Sequence, residues 1–287
     1  MATVAVLGAG LLGSGMVENL LAKGERVVVW NRTASKLAPL VEKGAIAAPD
    51  PAAAVTGAER VHLVLTSDDA VDATIAALQP GLTPGTPILD HSTNLPDRVN
   101  VRYARLRAEG VRYFHAPVFM SPQNARDGSG ILLVAGPAAE VEALTPALAT
   151  MTGRVWNVGE RPDLAAVHKL FGNGVLIALA ATMGDLFTIG AAQGIDAAGV
   201  LSLFEVFKPG NALPFIGGRV ANAGTAPASF ELAMARKDVR LMIEAAGGPD
   251  GLVVLPGIAT AMDKAIAEGL GDKDFAVFAW PRRRRLA

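Results

Sequence analysis

Residues 4–13 read Val-Ala-Val-Leu-Gly-Ala-Gly-Leu-Leu-Gly, an apolar run leading straight into Gly8-x-Gly10-x-x-Gly13. Few folds accept a buried strand followed at once by that spacing. The first glycine permits a tight turn, the second lets the backbone approach an anion, and the third lets the next helix pack close on the strand. The amides that open the helix, around Leu11 and Leu12, then face a pyrophosphate. A helical pattern from Met16 to Ala22 supplies the context that such a turn requires.

A second strand, Arg26–Trp30, runs into Asn31-Arg32-Thr33, with Lys36 one turn on. A site for NAD usually has Asp or Glu at this point, accepting hydrogen bonds from the ribose hydroxyls. No acid follows this strand. A cation and a hydroxyl suit a 2′-phosphate, which a guanidinium grips bidentately. The expected cofactor is therefore NADP (NADPH). Leu65 and Thr66, at the end of the third strand, are grouped with these cofactor residues.

Further strands are expected at Arg60–Leu65, Pro87–Asp90, Val111–His115, Ile131–Ala135 and Val155–Val158. Helices fall between them, at Ala34–Lys43, Asp68–Leu78 and Pro96–Ala108. Such alternation predicts an α/β fold with a parallel, doubly wound sheet of Rossmann type, its later strands of mixed direction, over residues 1–162. Beyond Pro162 the strand pattern stops. Asp163 can cap a long apolar helix running from Leu164 to about Gln193, and helices follow at Ala197–Phe207, Phe230–Ala245 and Leu255–Glu268. Residues 163–287 are thus expected to form an all-α domain for substrate binding and oligomerisation, joined to the first by the long interdomain helix. Apolar on nearly all sides, that helix is expected to be buried.

Composition excludes several classes. There is no cysteine among 287 residues, so disulfides and thiolate catalysis are ruled out. A net charge of −1 offers nothing to nucleic acid or an acidic membrane. The four histidines, His62, His91, His115 and His168, have no metal-cluster spacing, and no metal is expected. Leu170–Gly184, free of charge, is shorter than the roughly 18 residues of a membrane span. A signal peptide is not visible, and a cytoplasmic location is expected. Arg282–Arg285 read as a solvated basic tail. Hydrophobic residues at 51% predict a homodimer or homotetramer built on the apolar α domain.

A nucleotide fold does not specify a reaction. The candidate proton donor is Lys169, with Asn173 on the same helical face four residues later. A lysine in a desolvated cleft loses basicity and serves as an acid–base group. From spacing alone, a lysine snorkelling from the first turn fits equally well.

Taken together, separate motifs along the whole chain resemble the β-hydroxyacid dehydrogenase family, which includes 3-hydroxyisobutyrate dehydrogenase and the glyoxylate/succinic semialdehyde reductases. Gly8–Gly13 is similar to its cofactor turn and Asn31-Arg32-Thr33 to its NADP-associated form. Asp90-His91-Ser92-Thr93 with Pro96 resembles its Asp-x-Ser-Thr segment by the nicotinamide ribose, and His115-Ala116-Pro117-Val118 the start of its substrate motif. The resemblance makes Lys169 and Asn173 the catalytic pair. Thr93 and Lys237 then fix the nicotinamide end, and Phe230 lies on the segment that reaches over the cofactor.

One stretch departs from the family. Where it continues Ser-Gly-Gly to hold a substrate carboxylate, this chain has Phe119-Met120-Ser121-Pro122-Gln123-Asn124, and His115 stands where Asp is common. Ser92, Phe119, Met120, Ser121, Gln123 and Asn124 are the expected substrate-binding set, with Phe119 and Met120 equally readable as core packing. The expected function is NADPH-dependent hydride transfer to a small carbonyl compound or from a hydroxyacid. The alternatives are an imine reductase of the same architecture and a non-catalytic NADPH-binding module.

Overall fold

The computed structural model describes residues 2–223, 225 and 227–280, so the Arg282–Arg285 tail lies outside the described residues. The chain divides into two compact units, Met1–Asn173 and Gly174–Ala287. The division falls inside the long helix, not at residue 162, so Lys169 and Asn173 belong with the first unit.

In the first unit, strands β1 (Thr3–Leu7), β2 (Arg26–Trp30), β3 (Ile46–Ala47), β4 (Arg60–Leu63), β5 (Pro87–Asp90) and β6 (Arg112–His115) form one parallel sheet in the order β3-β2-β1-β4-β5-β6. Between them run α1 (Leu11–Ala22), α2 (Ala38–Val41), α3 (Pro51–Val55), α4 (Asp68–Leu78) and α5 (Pro96–Ala108). A separate three-stranded sheet of β7 (Val118–Phe119), β8 (Ile131–Val134) and β9 (Arg154–Asn157) follows, with α6 (Pro122–Asp127) and α7 (Ala138–Ala149) in its connections. Here β7 is antiparallel to β8 and β8 parallel to β9, the mixed direction expected.

The pleat explains why the strand sequences are apolar throughout. Val4 and Val6 of β1 join one core with Val27, Val29, Met16, Val17 and Leu20. Ala5 and Leu7 point the other way, into a second core with Val61, Leu63, Val71 and Ile75. Strands buried on both faces cannot alternate with polar residues. The strand order reverses at β1, between β2 and β4, and open α/β sheets bind ligands beyond the strand ends at that point.

Some boundaries differ from the sequence reading. The strand expected to reach Leu65 ends at Leu63, because the Leu65 amide donates to the Ser92 hydroxyl at 2.9 Å instead of to a neighbouring strand. The expected helix 34–43 is a 3-10 turn, Ala34–Leu37, followed by α2. Helix α1 begins at Leu11, earlier than Met16.

In the second unit, helices α11 (Leu232–Ala245) and α12 (Leu255–Ala267) pack around Leu232, Val239, Ala259 and Met262. They follow α8 (Leu164–Ala192, whose later part belongs here), α9 (Ala197–Val206) and α10 (Leu213–Ala221). Asp185 of α8 is buried and accepts from the amides of Val253, Val254 and Leu255, which open α12. These bonds hold its carboxyl below the usual range against the cost of burial.

The expectation that α8 is buried does not hold within one chain. Phe171, Leu176, Ile177 and Leu179 are exposed, and only 11% of its most apolar 18-residue stretch is covered. The 29-residue helix is also long and apolar enough to cross a membrane, contrary to the count of uncharged residues. The sequence shows that α8 is apolar on every side, but every position from 174 to 180 is exposed in the fold.

Candidate active site

The glycine turn is built as the spacing demands. Gly8 has φ +114°, and a Cβ there would lie 2.1 Å from the Val64 carbonyl oxygen, just past β4. A Cβ on Gly13 would lie 2.0 Å from the Gly8 oxygen. Both positions are closed to any side chain. Around Gly10, by contrast, there is open space, and no side chain caps α1. Uncapped amides at the switch point form a cradle with room for a phosphate.

Asn31 acts on this turn from inside. Its Oδ1 accepts from the Ala9 amide at 3.0 Å and its Nδ2 donates to the Thr33 oxygen at 2.8 Å. Both ends of the amide are occupied, so Asn31 shapes the turn instead of offering a free group to a ligand. Arg32, Thr33 and Lys36 are exposed. Among the described residues no ion pair or hydrogen bond engages the side chain of Arg32 or Lys36, although most other arginines of this unit are paired.

The β4 and β5 ends carry the next group. Thr66 and Thr93 are exposed and Leu65 is half-buried. Ser92 differs from expectation: it is buried, its hydroxyl accepts from Leu65 N–H, and its amide donates to Asp90 Oδ1. It joins two loops and does not face outward.

Beneath these loops lies a polar network that the sequence did not reveal. Tyr113 donates to Asp90 Oδ2 at 2.8 Å, Asn94 donates to the same oxygen at 2.6 Å, and Arg102 Nη1 lies 3.8 Å from it. Arg102, 1% exposed, also binds Asp72 at 2.6 Å and Asp68 at 2.9 Å. Asp68 and Asp72 are on α4 and Arg102 on α5, so the network locks the helices that follow β4 and β5. Burial would lower the Arg102 pKa, but its carboxylate partners and Tyr113 raise it overall.

His62 and His91 stack with ring centroids 5.1 Å apart and His62 Nδ1 is 2.8 Å from His91 Nε2. His91 Nδ1 is 2.6 Å from the Ala116 carbonyl, which can only accept, so that nitrogen carries the proton. A neutral His91 then accepts from His62 Nδ1–H. His115 Nε2 donates to the Ser92 carbonyl at 3.0 Å. Burial lowers the pKa of all three. Each makes at least one buried hydrogen bond, although His62 Nε2 and His115 Nδ1 have no partner among the described residues, and His168 bonds the Leu164 carbonyl through Nδ1. Among the described residues no group of three or more His, Asp or Glu side chains is placed to hold a metal.

Lys169 stands apart from these networks. Its Nζ donates to the Val118 carbonyl at 2.6 Å and lies 4.5 Å from the centre of the Phe119 ring. Burial lowers its pKa, and no carboxylate opposes the shift. Asn173, one turn on, is half-buried, and no hydrogen bond is recorded for its side chain among the described residues. Val118 opens the segment that ends in α6. That helix packs on α1, where a Cβ on Gly15 would lie 3.0 Å from Ala125 Cβ. One short segment therefore links the lysine to the helix of the glycine turn.

That segment corrects the expected substrate set. Met120 packs against the core of β1 and β2. Ser121 and Asn124 cap α6 for each other: Asn124 Oδ1 accepts from Ser121 N at 2.9 Å and from its hydroxyl at 2.7 Å. Gln123 donates to Asp127 at 2.9 Å. Asn124 Nδ2 also donates to Ser129 just past the helix, leaving Phe119 as the member that meets Lys169. In the second unit, Phe230 is 40% exposed and Lys237 pairs with its neighbour Asp238 at 3.0 Å.

A parallel sheet with a glycine turn at its switch point and an uncapped helix behind it defines a dinucleotide-binding protein. Residues 3–159 match the NAD binding domain of 6-phosphogluconate dehydrogenase. The chain belongs to the β-hydroxyacid dehydrogenase family and is an oxidoreductase that uses a nicotinamide cofactor. It is 29% identical over 281 residues to glyoxylate/succinic semialdehyde reductase 1 of Arabidopsis thaliana, covering 95% of this chain and 96% of that one. It is 33% identical over 188 residues to 3-sulfolactaldehyde reductase of Escherichia coli, covering 64% and 63%. Among solved structures, an imine reductase from Pseudomonas sp. superposes with a TM-score of 0.86 over 97% of this chain and 98% of that one, at 20% identity, a likeness of fold.

Proposed function

We propose that the protein is an NADPH-dependent reductase of small carbonyl compounds of the semialdehyde or β-hydroxyacid type, with Lys169 as its general acid. The observation that carries this reading is the state of Lys169: half-buried, lowered in pKa by burial, and bonded to a backbone carbonyl with no carboxylate to neutralise it. An ammonium whose basicity burial lowers, and which no carboxylate holds, can give its proton to a substrate oxygen. The bound nicotinamide would supply hydride, and the protein supplies position and the proton. Lys169 Nζ holds that proton for a substrate oxygen in reduction and takes it back in oxidation. Asn173, with both ends of its amide free, orients the same oxygen.

The cofactor residues fit the role. Gly8, Gly10, Leu11, Leu12 and Gly13 present backbone to the pyrophosphate, and Asn31 holds the turn in shape. Arg32 and Lys36, both unpaired, with the Thr33 hydroxyl, supply charge and a donor for a 2′-phosphate. Leu65, Thr66 and Thr93 line the nicotinamide side, as the family resemblance implies. The relatives named as reducing aldehydes support the substrate class. Assay of succinic semialdehyde with NADPH, in wild type and Lys169→Ala, tests the reading.

Imine reduction is the second reading, favoured by the aromatic Phe119 wall beside the proton donor. Comparing cyclic imines with semialdehydes decides between them. For the apolar surface of α8 and α9 we propose a second copy of this chain as the covering partner, giving a homodimer or homotetramer. Leu176, Ile177, Leu201 and Val206 are too exposed for a single chain to leave in water.

A further inference from the structure

We propose that Phe119 is a positioning residue for Lys169, and that Gly172 is the notch that seats its ring. The proposal rests on Lys169 being the proton donor, but the contact itself is independent of catalysis.

Two observations meet here. The Lys169 ammonium lies 4.5 Å from the Phe119 ring centre. On the same helix, a Cβ built on Gly172 would fall 2.3 Å from Phe119 Cζ and 2.5 Å from Cε1. No side chain fits at residue 172 while the ring stays where it is. Glycine inside a helix costs about 1 kcal/mol relative to alanine, and the ring's position explains why one is present. Phe119 also packs against a core of Leu133 and Ala135 from the sheet and Ala165 from the same helix as Gly172. The ring is thus clamped between sheet and helix with the ammonium against it.

The donor count gives the arrangement its meaning. An ammonium has three N–H donors and no acceptor. One is used on Val118 O at 2.6 Å. The negative face of the ring attracts a second. One remains, and its direction is set by the other two. A freely rotating lysine becomes a donor with a single open site for a substrate oxygen. The ring also favours the charged form and so opposes the effect of burial. No carboxylate or second cation acts on this ammonium from β7, β8 or α8, and burial alone lowers its pKa. The adjacent titratable group, His168, turns to Trp156 and Phe171 instead.

The experiment is an NMR titration of the Lys169 side chain, using ¹³Cε-labelled lysine in the full chain with the signal assigned by Lys169→Arg. It needs no substrate. Phe119→Leu keeps apolar bulk but removes the ring face, so the lysine pKa should fall by about half a unit or more. Phe119→Tyr keeps the face and should leave the pKa at the wild-type value. Gly172→Ala should lower it like Phe119→Leu, and in the Phe119→Leu background should add nothing further. With NADPH and succinic semialdehyde, the high-pH limb of kcat should move down in step. An unchanged pKa in Phe119→Leu, or equal effects of Gly172→Ala with and without the ring, overturns the proposal. Full turnover by Lys169→Ala would refute the catalytic reading while leaving the titration as a test of the contact.

Discussion

Asn31 Oδ1 accepts a hydrogen bond from the Ala9 amide at 3.0 Å, so the residue just past β2 braces the turn that follows β1. Among the described residues no hydrogen bond or ion pair engages the side chain of the neighbouring Arg32, and the two positions therefore affect cofactor binding differently. Asn31→Ala should weaken NADPH and NADH alike, by about fivefold to tenfold for one neutral hydrogen bond. Arg32→Ala should weaken NADPH by roughly 10- to 100-fold, the worth of a charge-assisted contact, and leave NADH nearly unchanged. Fluorescence titration of both cofactors checks this. Equal losses in Arg32→Ala would remove the 2′-phosphate assignment.

Arg102 is the buried cation on which the β4 and β5 loops depend. Removing it strands Asp90 in the core, fully buried and without a nearby positive charge. Arg102→Met should cost about 3–5 kcal/mol in chemical denaturation. Arg102→Lys should restore little of this, because a point-charge ammonium does not reproduce the planar fork with which Nε and Nη2 meet Asp72 and Asp68.

The buried histidines make stability depend on pH. His62, His91 and His115 have folded pKa values below that of a free histidine, so they are neutral in the fold. Their contribution is present above the unfolded value of about 6.5 and is lost as pH falls through it toward the lower folded values. The melting temperature should therefore decline from about pH 7 to pH 5. His62→Leu removes one of the three groups and should make the decline shallower. A flat profile in wild type would contradict the assignment.

Much of the first unit can be read directly from sequence. Val4–Leu7 and Val27–Val29 are apolar at every position because the sheet is covered on both faces, and glycine spacing marks the turn. Ile46–Ala47 and Val118–Phe119 are too short to show any period, and pairing with neighbours alone makes them strands. The candidate site divides in the same way. Lys169 stands out as a lone cation in an apolar helix. Ser92, Ser121 and Asn124 are polar residues in the expected places, but only the folded loops show that their groups are used on neighbouring backbone and side chains. Arg102 and Tyr113 gave no signal, since an arginine in a helix ordinarily faces water.

Exposed apolar residues on α8 lead to a measurement of assembly. Sedimentation should give a dimer or tetramer, and Ile177→Glu, placing a charge on a side chain that is 70% exposed in one chain, should shift it toward the monomer. A wild-type monomer would contradict the proposed second copy.

The central claim is that Lys169 gives and takes the substrate proton. Single-turnover oxidation of NADPH with succinic semialdehyde, with cofactor affinity measured in parallel, tests it most directly. Lys169→Ala should lose about 100- to 10,000-fold in rate, the usual worth of a positioned acid, with NADPH affinity nearly intact. A variant that turns over at the wild-type rate would contradict the account.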